Sequence, residues 1–208
     1  MQVDFLFQIV ILVMSVVIHE VTHGYVASIL GDQTARYQGR LTLNPIKHLD
    51  FFGSFLIPLL LYLSKVGVIL GWAKPVPYNP YNLRPGRWSE ALVAFAGPAA
   101  NIVLALGFGL LMRFAYTSEA AWFSQDFFYI TGLVVFINIL LAIFNLIPIP
   151  PLDGSKILFA VFPEKFQELR GFFERYGLIL VLFFVFFLWK FVYPLVEKVF
   201  SLITGFAF

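Results

Sequence analysis

The sequence predicts an all-α polytopic membrane protein. Of its 208 residues 60% are apolar and only 12% are charged, whereas soluble domains carry about a quarter charged residues. The apolar residues fall into runs, several of which approach the roughly 20 residues that a helix needs to cross a bilayer. We expect about four transmembrane helices and one re-entrant or hairpin segment. They form a single integral-membrane domain over 1–208, with a core at about 4–160 and a C-terminal helix and amphipathic tail at 176–208.

Four segments have the length and apolar character of membrane helices. The first, 4–30, ends where Gly31 and Asp32 interrupt the apolar run. The second and third, 91–113 and 127–149, are the clearest, and 176–193 is the last.

Short β-strands are predicted in the polar loops. The stretch "ARYQGRLTL" has β-branched and aromatic residues in partial alternation, which favours a strand or hairpin. The proline-rich loop 71–90 has room for an extended stretch at 73–78.

The distribution of basic residues predicts that 51–70 enters the membrane and returns. Lys and Arg collect in the cytoplasmic loops of membrane proteins, and here they fall in 31–50, 71–90 and 150–175 but not inside 114–126. A full crossing at 51–70 would place the first two basic loops on opposite sides. A re-entrant 51–70 keeps all three on one side, the cytoplasmic one. The alternative is that 51–70 crosses the membrane fully.

The composition limits the kinds of partner and metal site that the protein can have. The net charge of +2 comes without any basic run, so we expect no nucleic acid. The chain has no cysteine, which excludes disulfides and thiolate metal sites. The lipid bilayer is the expected surrounding, and the oligomeric state stays open.

The first helix carries an H-E-x-x-H motif, His19-Glu20-Val21-Thr22-His23. Residues four apart share one face of a helix, so the two imidazoles can bind one Zn²⁺. Glu20 lies beside the first ligand and can act as general base on a water that the metal activates. Ionisable residues inside a membrane segment indicate function. A chance match, or a polar network without metal, is the alternative.

A catalytic zinc usually has three protein ligands, and Asp153 is the best third candidate. It follows the span 127–149 and the prolines of "NLIPIPPLDGSKIL", and that span runs toward the same side as the first helix. The alternative role for Asp153 is an N-cap of the next helix. His48 is the only other histidine and lies in a loop.

These paired motifs resemble those of the site-2 protease family of intramembrane zinc metalloproteases. The resemblance covers about 15–160 and implies that Asp153 is the third zinc ligand and that Asn145 stabilises the oxyanion or positions the substrate. It also matches G-P-x-x-N to Gly97, Pro98 and Asn101. From the residue types alone, we expect Asn101 and Asn138 to form helix–helix hydrogen bonds. On the same basis Gly97–Pro98 is a packing or kink element.

The sequence thus predicts a zinc endopeptidase, with one Zn²⁺ per chain, that cleaves transmembrane segments of membrane-protein substrates. Its metal ligands would be His19, His23 and Asp153, and its catalytic residues Glu20 and Asn145. We expect a multi-pass protein of the cell membrane with the active site toward the cytoplasmic side. The alternatives are a membrane zinc-binding or transport protein and a catalytically silent scaffold of the same fold.

Overall fold

A computed structural model describes residues 2–50, 56, 74–118, 123–162 and 167–206. Within them the chain forms helices and short turns, without a β-strand. The helices are α1 Gln2–Ile29, α2 Thr34–Tyr37, α3 Arg87–Thr117, α4 Gln125–Asn145, α5 Asp153–Val161, α6 Gln167–Phe183 and α7 Trp189–Thr204. The predicted re-entrant segment 51–70 lies outside the described residues, apart from residue 56.

Three helices are long and apolar enough to cross a membrane: Phe7–Ile29, Arg87–Thr117 and Gln125–Asn145. They correspond to the first three predicted spans. The fourth predicted span, 176–193, is not one straight helix, because Arg170–Phe187 and Lys190–Thr204 meet at a bend of 71°. The described residues therefore hold three candidate spans, or four if the bent pair counts as one.

The predicted strands are wrong in the described residues. In "ARYQGRLTL" the chain forms α2, and Gly39 then turns it at φ +62°. The N–H of Arg40 bonds back to the carbonyl of Ala35 at 2.9 Å, so the backbone closes a local turn instead of a ladder. Residues 74–79 pair with no strand among the residues that the structure describes, and Pro75 and Pro77 have no N–H to donate to one.

Small residues let α3 pack closely in the middle of the structure, where it contacts α1, α4, α5 and α7. Without large side chains in the way, helix backbones approach one another at close range. The buried small residues of α3 are Ala91, Ala94, Ala96, Gly97, Ala105, Gly109 and Ala115.

One face of the C-terminal helix α7 packs into the bundle. Val192, Val196 and Phe200 of α7 are buried together with residues of α3 and α4. The amphipathic character of the tail thus serves packing against the bundle.

Candidate metal centre

The side chains of His19, His23 and Asp153 converge on one point inside the bundle. The Nε2 atoms of the two histidines are 3.0 Å apart, and each lies 3.1 Å from Oδ2 of Asp153. All three residues are at least nine-tenths buried. Among the described residues, this is the group of His, Asp and Glu side chains whose spacing suits a metal ion.

Two local features bring these side chains together. His19 and His23 are four residues apart in α1, so both project toward α3. Asp153 follows a short connection between helices: α4 ends at Asn145, and α5 begins at Asp153. The predicted N-cap role of Asp153 is wrong, since Leu152 occupies the cap position without a side-chain cap bond.

Hydrogen bonds at the far side of each imidazole fix its orientation. Nδ1 of His23 lies 2.7 Å from the carbonyl oxygen of Val93, and Nδ1 of His19 lies 2.6 Å from Oδ1 of Asn101. Because a carbonyl can only accept, each Nδ1 donates its proton. Both Nε2 atoms then present lone pairs to the site.

The consequence is a buried cluster of three acceptors. Oδ2 of Asp153 lies 3.1 Å from each of the two Nε2 atoms, and with both imidazoles protonated on Nδ1 no hydrogen is left between these three atoms. Two lone pairs and one carboxylate oxygen at this spacing repel one another, whereas a divalent cation between them is bound by all three.

The donor set fits zinc in type and spacing. Zinc takes imidazole nitrogen and carboxylate oxygen at about 2.0–2.2 Å in tetrahedral geometry, which separates the ligand atoms by roughly 3.3 Å. The observed separations of 3.0–3.1 Å lie close to that value. Three protein ligands also leave one position open, as in catalytic zinc sites.

Gly97 forms a wall of the site. A Cβ atom at this position would stand 2.5 Å from Nε2 of His23 and 2.6 Å from Nε2 of His19, a separation that side chains do not tolerate. Pro98 follows it inside α3 and has no N–H to donate to the carbonyl of Ala94, four residues before it. The sequence assigned Gly97 and Pro98 to packing, and the structure places Gly97 against the ligand atoms.

Glu20 is held by a segment that runs across the site. One of its carboxylate oxygens, Oε2, accepts a hydrogen bond from the backbone N–H of Val76 at 2.8 Å. Val76 belongs to the strap, the name used below for residues 74–84. The strap therefore orients the residue that the sequence predicted as general base.

A second polar cluster joins the strap to α3 and α5. The ammonium of Lys156 lies 5.0 Å from the ring centre of Tyr78, whose hydroxyl is 3.4 Å from Oε1 of Glu90. Burial alone would lower the pKa of Lys156, but Tyr78, Asp153 and Glu90 raise it overall. Lys156 thus stays cationic one helical turn from Asp153.

The structure does not bring every predicted residue to the metal centre. The amide of Asn145 donates to the carbonyl of Leu141 in its own helix at 3.0 Å, and no hydrogen bond among the described residues joins it to the ligand group. Its predicted oxyanion role stays a prediction. His48, the alternative third ligand, is buried elsewhere, with Nε2 2.8 Å from the carbonyl of Thr42.

The predicted helix–helix hydrogen bond of Asn101 is confirmed, since its Nδ2 lies 2.8 Å from Oδ1 of Asn138. Sequence reasoning missed the contact of Asn101 with His19 and the contact of Val76 with Glu20. The spacing of Asn101 from Gly97 placed it on the correct helix, but only the packing of α1 on α3 shows that it meets His19. Val76 acts through its backbone N–H, which no side-chain motif reports.

Fold and site together define a membrane-type helical protein with a buried centre suited to zinc, built on an H-E-x-x-H helix. The sequence profile of peptidase family M50 matches residues 7–119 and 109–188. The chain belongs to peptidase family M50, the site-2 protease family, as its motifs predicted.

Named relatives agree with this assignment. The chain is 41% identical over 177 residues to "Putative zinc metalloprotease YwhC" of Bacillus subtilis, which covers 84% of this chain and 77% of the relative. It is 34% identical over 146 residues to the Rip2 protein of Mycolicibacterium smegmatis, covering 70% and 53% of the two chains. The MJ0611 protein of Methanocaldococcus jannaschii is also 34% identical over 146 residues, covering 68% and 63%. The names of these two relatives also begin with "Putative zinc metalloprotease". No solved structure matches the chain.

Proposed function

We propose that the protein is an intramembrane zinc endopeptidase that cleaves transmembrane segments of other membrane proteins. The observation that supports this best is the buried cluster of His19, His23 and Asp153, whose two imidazoles are both held with Nε2 toward the same point. Membership of peptidase family M50 supports protease chemistry. The position of the two histidines inside a candidate membrane span supports cleavage within the membrane.

The two histidines lie inside a candidate membrane span. His19 and His23 belong to Phe7–Ile29, and the remaining ligand follows the end of the span Gln125–Asn145. Val93, which binds the ring of His23, is near the start of the span Arg87–Thr117. The centre would therefore lie within the bilayer but close to one face. From the basic loops we propose that this face is cytoplasmic and that the protein is a multi-pass component of the cell membrane.

Each residue has a distinct task in the proposed reaction. His19, His23 and Asp153 would hold one Zn²⁺, which supplies Lewis acidity to the scissile carbonyl and to the attacking water. Glu20 takes a proton from the water and later delivers one to the leaving amine. The Val76 N–H keeps one carboxylate oxygen of Glu20 fixed, which leaves the other oxygen for proton transfer. Asn145 remains the proposed contributor to oxyanion stabilisation.

The strap restricts how a substrate can bind. A helical substrate must unwind before its carbonyls are accessible, and pairing with an exposed strand is a common way to hold an extended peptide. Two donors of the strap are already used, since Lys74 N–H bonds to His48 and Val76 N–H to Glu20. Pro75 and Pro77 have none. Residues 74–77 thus have no backbone donor left for a substrate, and we do not assign β-addition to this part of the strap.

The test compares the wild type with Glu20→Gln on a candidate single-span protein co-expressed in membranes. We expect Glu20→Gln to keep its zinc and to lose cleavage, because the amide binds Val76 but cannot accept the proton. Mass spectrometry of the product ends should place the cut inside the apolar segment. The matched control is Glu174→Gln, an exposed carboxylate of α6 paired with Arg170, which should cleave as the wild type does.

The outcomes separate the alternatives. Zinc uptake into vesicles without cleavage would indicate a transport protein, and zinc binding with neither activity would indicate a scaffold. A fully active Glu20→Gln variant would contradict the mechanism.

A further inference from the structure

Two asparagines form a continuous hydrogen-bonded chain with His19. The amide oxygen Oδ1 of Asn101 lies 2.6 Å from Nδ1 of His19. The amide nitrogen Nδ2 of Asn101 lies 2.8 Å from Oδ1 of Asn138. Both asparagines are 0% exposed, and they come from α3 and α4. We call His19, Asn101 and Asn138 the asparagine chain.

Backbone carbonyls fix the direction of every bond in this chain. Nδ2 of Asn138 donates to the carbonyl of Val134 at 2.8 Å and to Oγ of Ser15 at 2.9 Å. Its Oδ1 must then face Asn101, whose Nδ2 also points to the carbonyl of Ser15 at 3.4 Å. Because carbonyls only accept, neither amide can be reversed without placing two acceptors together. Oδ1 of Asn101 therefore faces His19, and Nδ1 of His19 must donate.

We propose that Asn101, itself oriented by Asn138, is a positioning residue that fixes the tautomer of His19 and directs its Nε2 lone pair into the metal centre. A role in helix packing alone would be satisfied by the bond between the two asparagines. Helix packing does not require the short contact of Asn101 with His19, which is a candidate metal ligand. Partners of this kind raise ligand basicity and hold the ring plane. The proposal rests on the proposed function only in taking His19 as a metal ligand.

The protein has so few histidines that the tautomer of each can be measured directly. There are three, and His48 provides an internal reference, because its Nε2 donates to the carbonyl of Thr42. In the protein labelled with ¹⁵N-histidine, treated with a chelator and held at a pH at which its imidazoles are neutral, we expect two rings protonated on Nδ1 and one on Nε2. In Asn101→Leu, the signal of His19 should lose its Nδ1–H character while that of His48 stays unchanged.

Zinc affinity gives the second measurement. By competition with a chromophoric chelator, Asn101→Leu should bind zinc about 10–100-fold more weakly than the wild type. Asn138→Leu should lose less zinc affinity than Asn101→Leu. In this variant Asn101 is still next to His19, but its amide is no longer oriented by Asn138. Thr131→Val is the matched control. Thr131 is a buried polar residue of α4 that does not belong to the asparagine chain, and the variant should bind zinc normally.

Two results would overturn the proposal: a wild-type His19 protonated on Nε2, or an Asn101→Leu variant that binds zinc as tightly as the wild type. The tautomer of the wild type decides the question even if the leucine variants do not fold. Neither measurement uses peptide cleavage. Normal tautomers and zinc affinities in a protein that cleaves nothing would therefore contradict the proposed function and leave the asparagine chain in place.

Discussion

At the scale of single residues, the space around the two imidazoles is set by a glycine. Gly97 allows the backbone of α3 to come so close to His19 and His23 that any side chain would displace their Nε2 atoms. The ring orientations that suit a metal thus depend on a missing Cβ as much as on the ligands themselves. The same helix also provides Asn101 and Val93, the acceptors for the other ring nitrogens.

Gly97→Ala should therefore weaken zinc binding by at least about 10-fold, the lower end of the range for changes in groups that orient ligands. Zinc content after dialysis against a chelator measures this loss. Gly107→Ala is the control in the same helix, because a Cβ there meets nothing within 4 Å. It should bind zinc normally, and the added helix propensity should stabilise it by about 0.5–1 kcal/mol. Equal zinc content in the two variants would contradict this account of Gly97.

At the scale of elements, the strap is attached to the rest of the protein at both ends and in the middle. The carboxylate of Asp32 accepts from the backbone N–H of Asn79 and from the amide of Asn82, both at 2.9 Å. The carbonyl oxygen of Lys74 accepts from Arg40 at 2.8 Å. Between these attachments Val76 holds Glu20. The strap is therefore a structural support for the proposed general base.

Val76→Pro tests this support, because proline removes the N–H that Glu20 accepts. A hydrogen bond to a charged group contributes about 1.5–3 kcal/mol, so we expect kcat to fall roughly 10–100-fold while zinc content is unchanged. Val76→Ala keeps the N–H and serves as the control for lost packing. If the alanine variant loses as much activity as the proline variant, the backbone bond to Glu20 is not what matters.

Asp32 predicts how stability changes with pH. Burial raises the pKa of this carboxyl, but hydrogen bonds from Thr34, Asn82 and Asn79 outweigh it and lower the pKa overall. The stabilisation is then complete above the ordinary pKa of about 3.9 and is lost as the pH falls below it, through the lowered value of the folded state.

Thermal unfolding in detergent at pH 6 and pH 3 measures the difference. The wild type should lose more stability on acidification than Asp32→Asn, which has no charge to lose at this position. Asp32→Ala should be destabilised by about 1.5–3 kcal/mol at pH 6, since it removes the charged acceptor of the Asn79 N–H and of the Asn82 amide. Parallel pH profiles for the wild type and Asp32→Asn would show that this carboxylate contributes no pH dependence.

At the scale of the whole molecule, the features that could be predicted from the sequence are those that depend on residues close together in the chain. Apolar runs predicted the first three spans, and the i, i+4 spacing predicted that His19 and His23 share a face. Asp153 also joins them as the motif suggested.

The predicted strand fails for a local reason, since the N–H of Arg40 bonds back to the carbonyl of Ala35 in α2. The rest depends on contacts between distant segments. The role of Asn101 requires α1 to pack on α3, and that of Val76 requires the strap to cross α1. Neither packing follows from periodicity, since the apolar pattern of a membrane helix does not distinguish a lipid-facing side from a protein-facing one.

The most direct test of the central claim is a zinc titration of the metal-stripped, full-length protein with a membrane substrate present. We expect no cleavage without metal and a linear return of activity that ends at about one zinc per chain, because the three proposed ligands would form one catalytic site. Asp153→Asn should shift the titration to much higher zinc concentrations. Undiminished cleavage by the stripped protein would contradict the account.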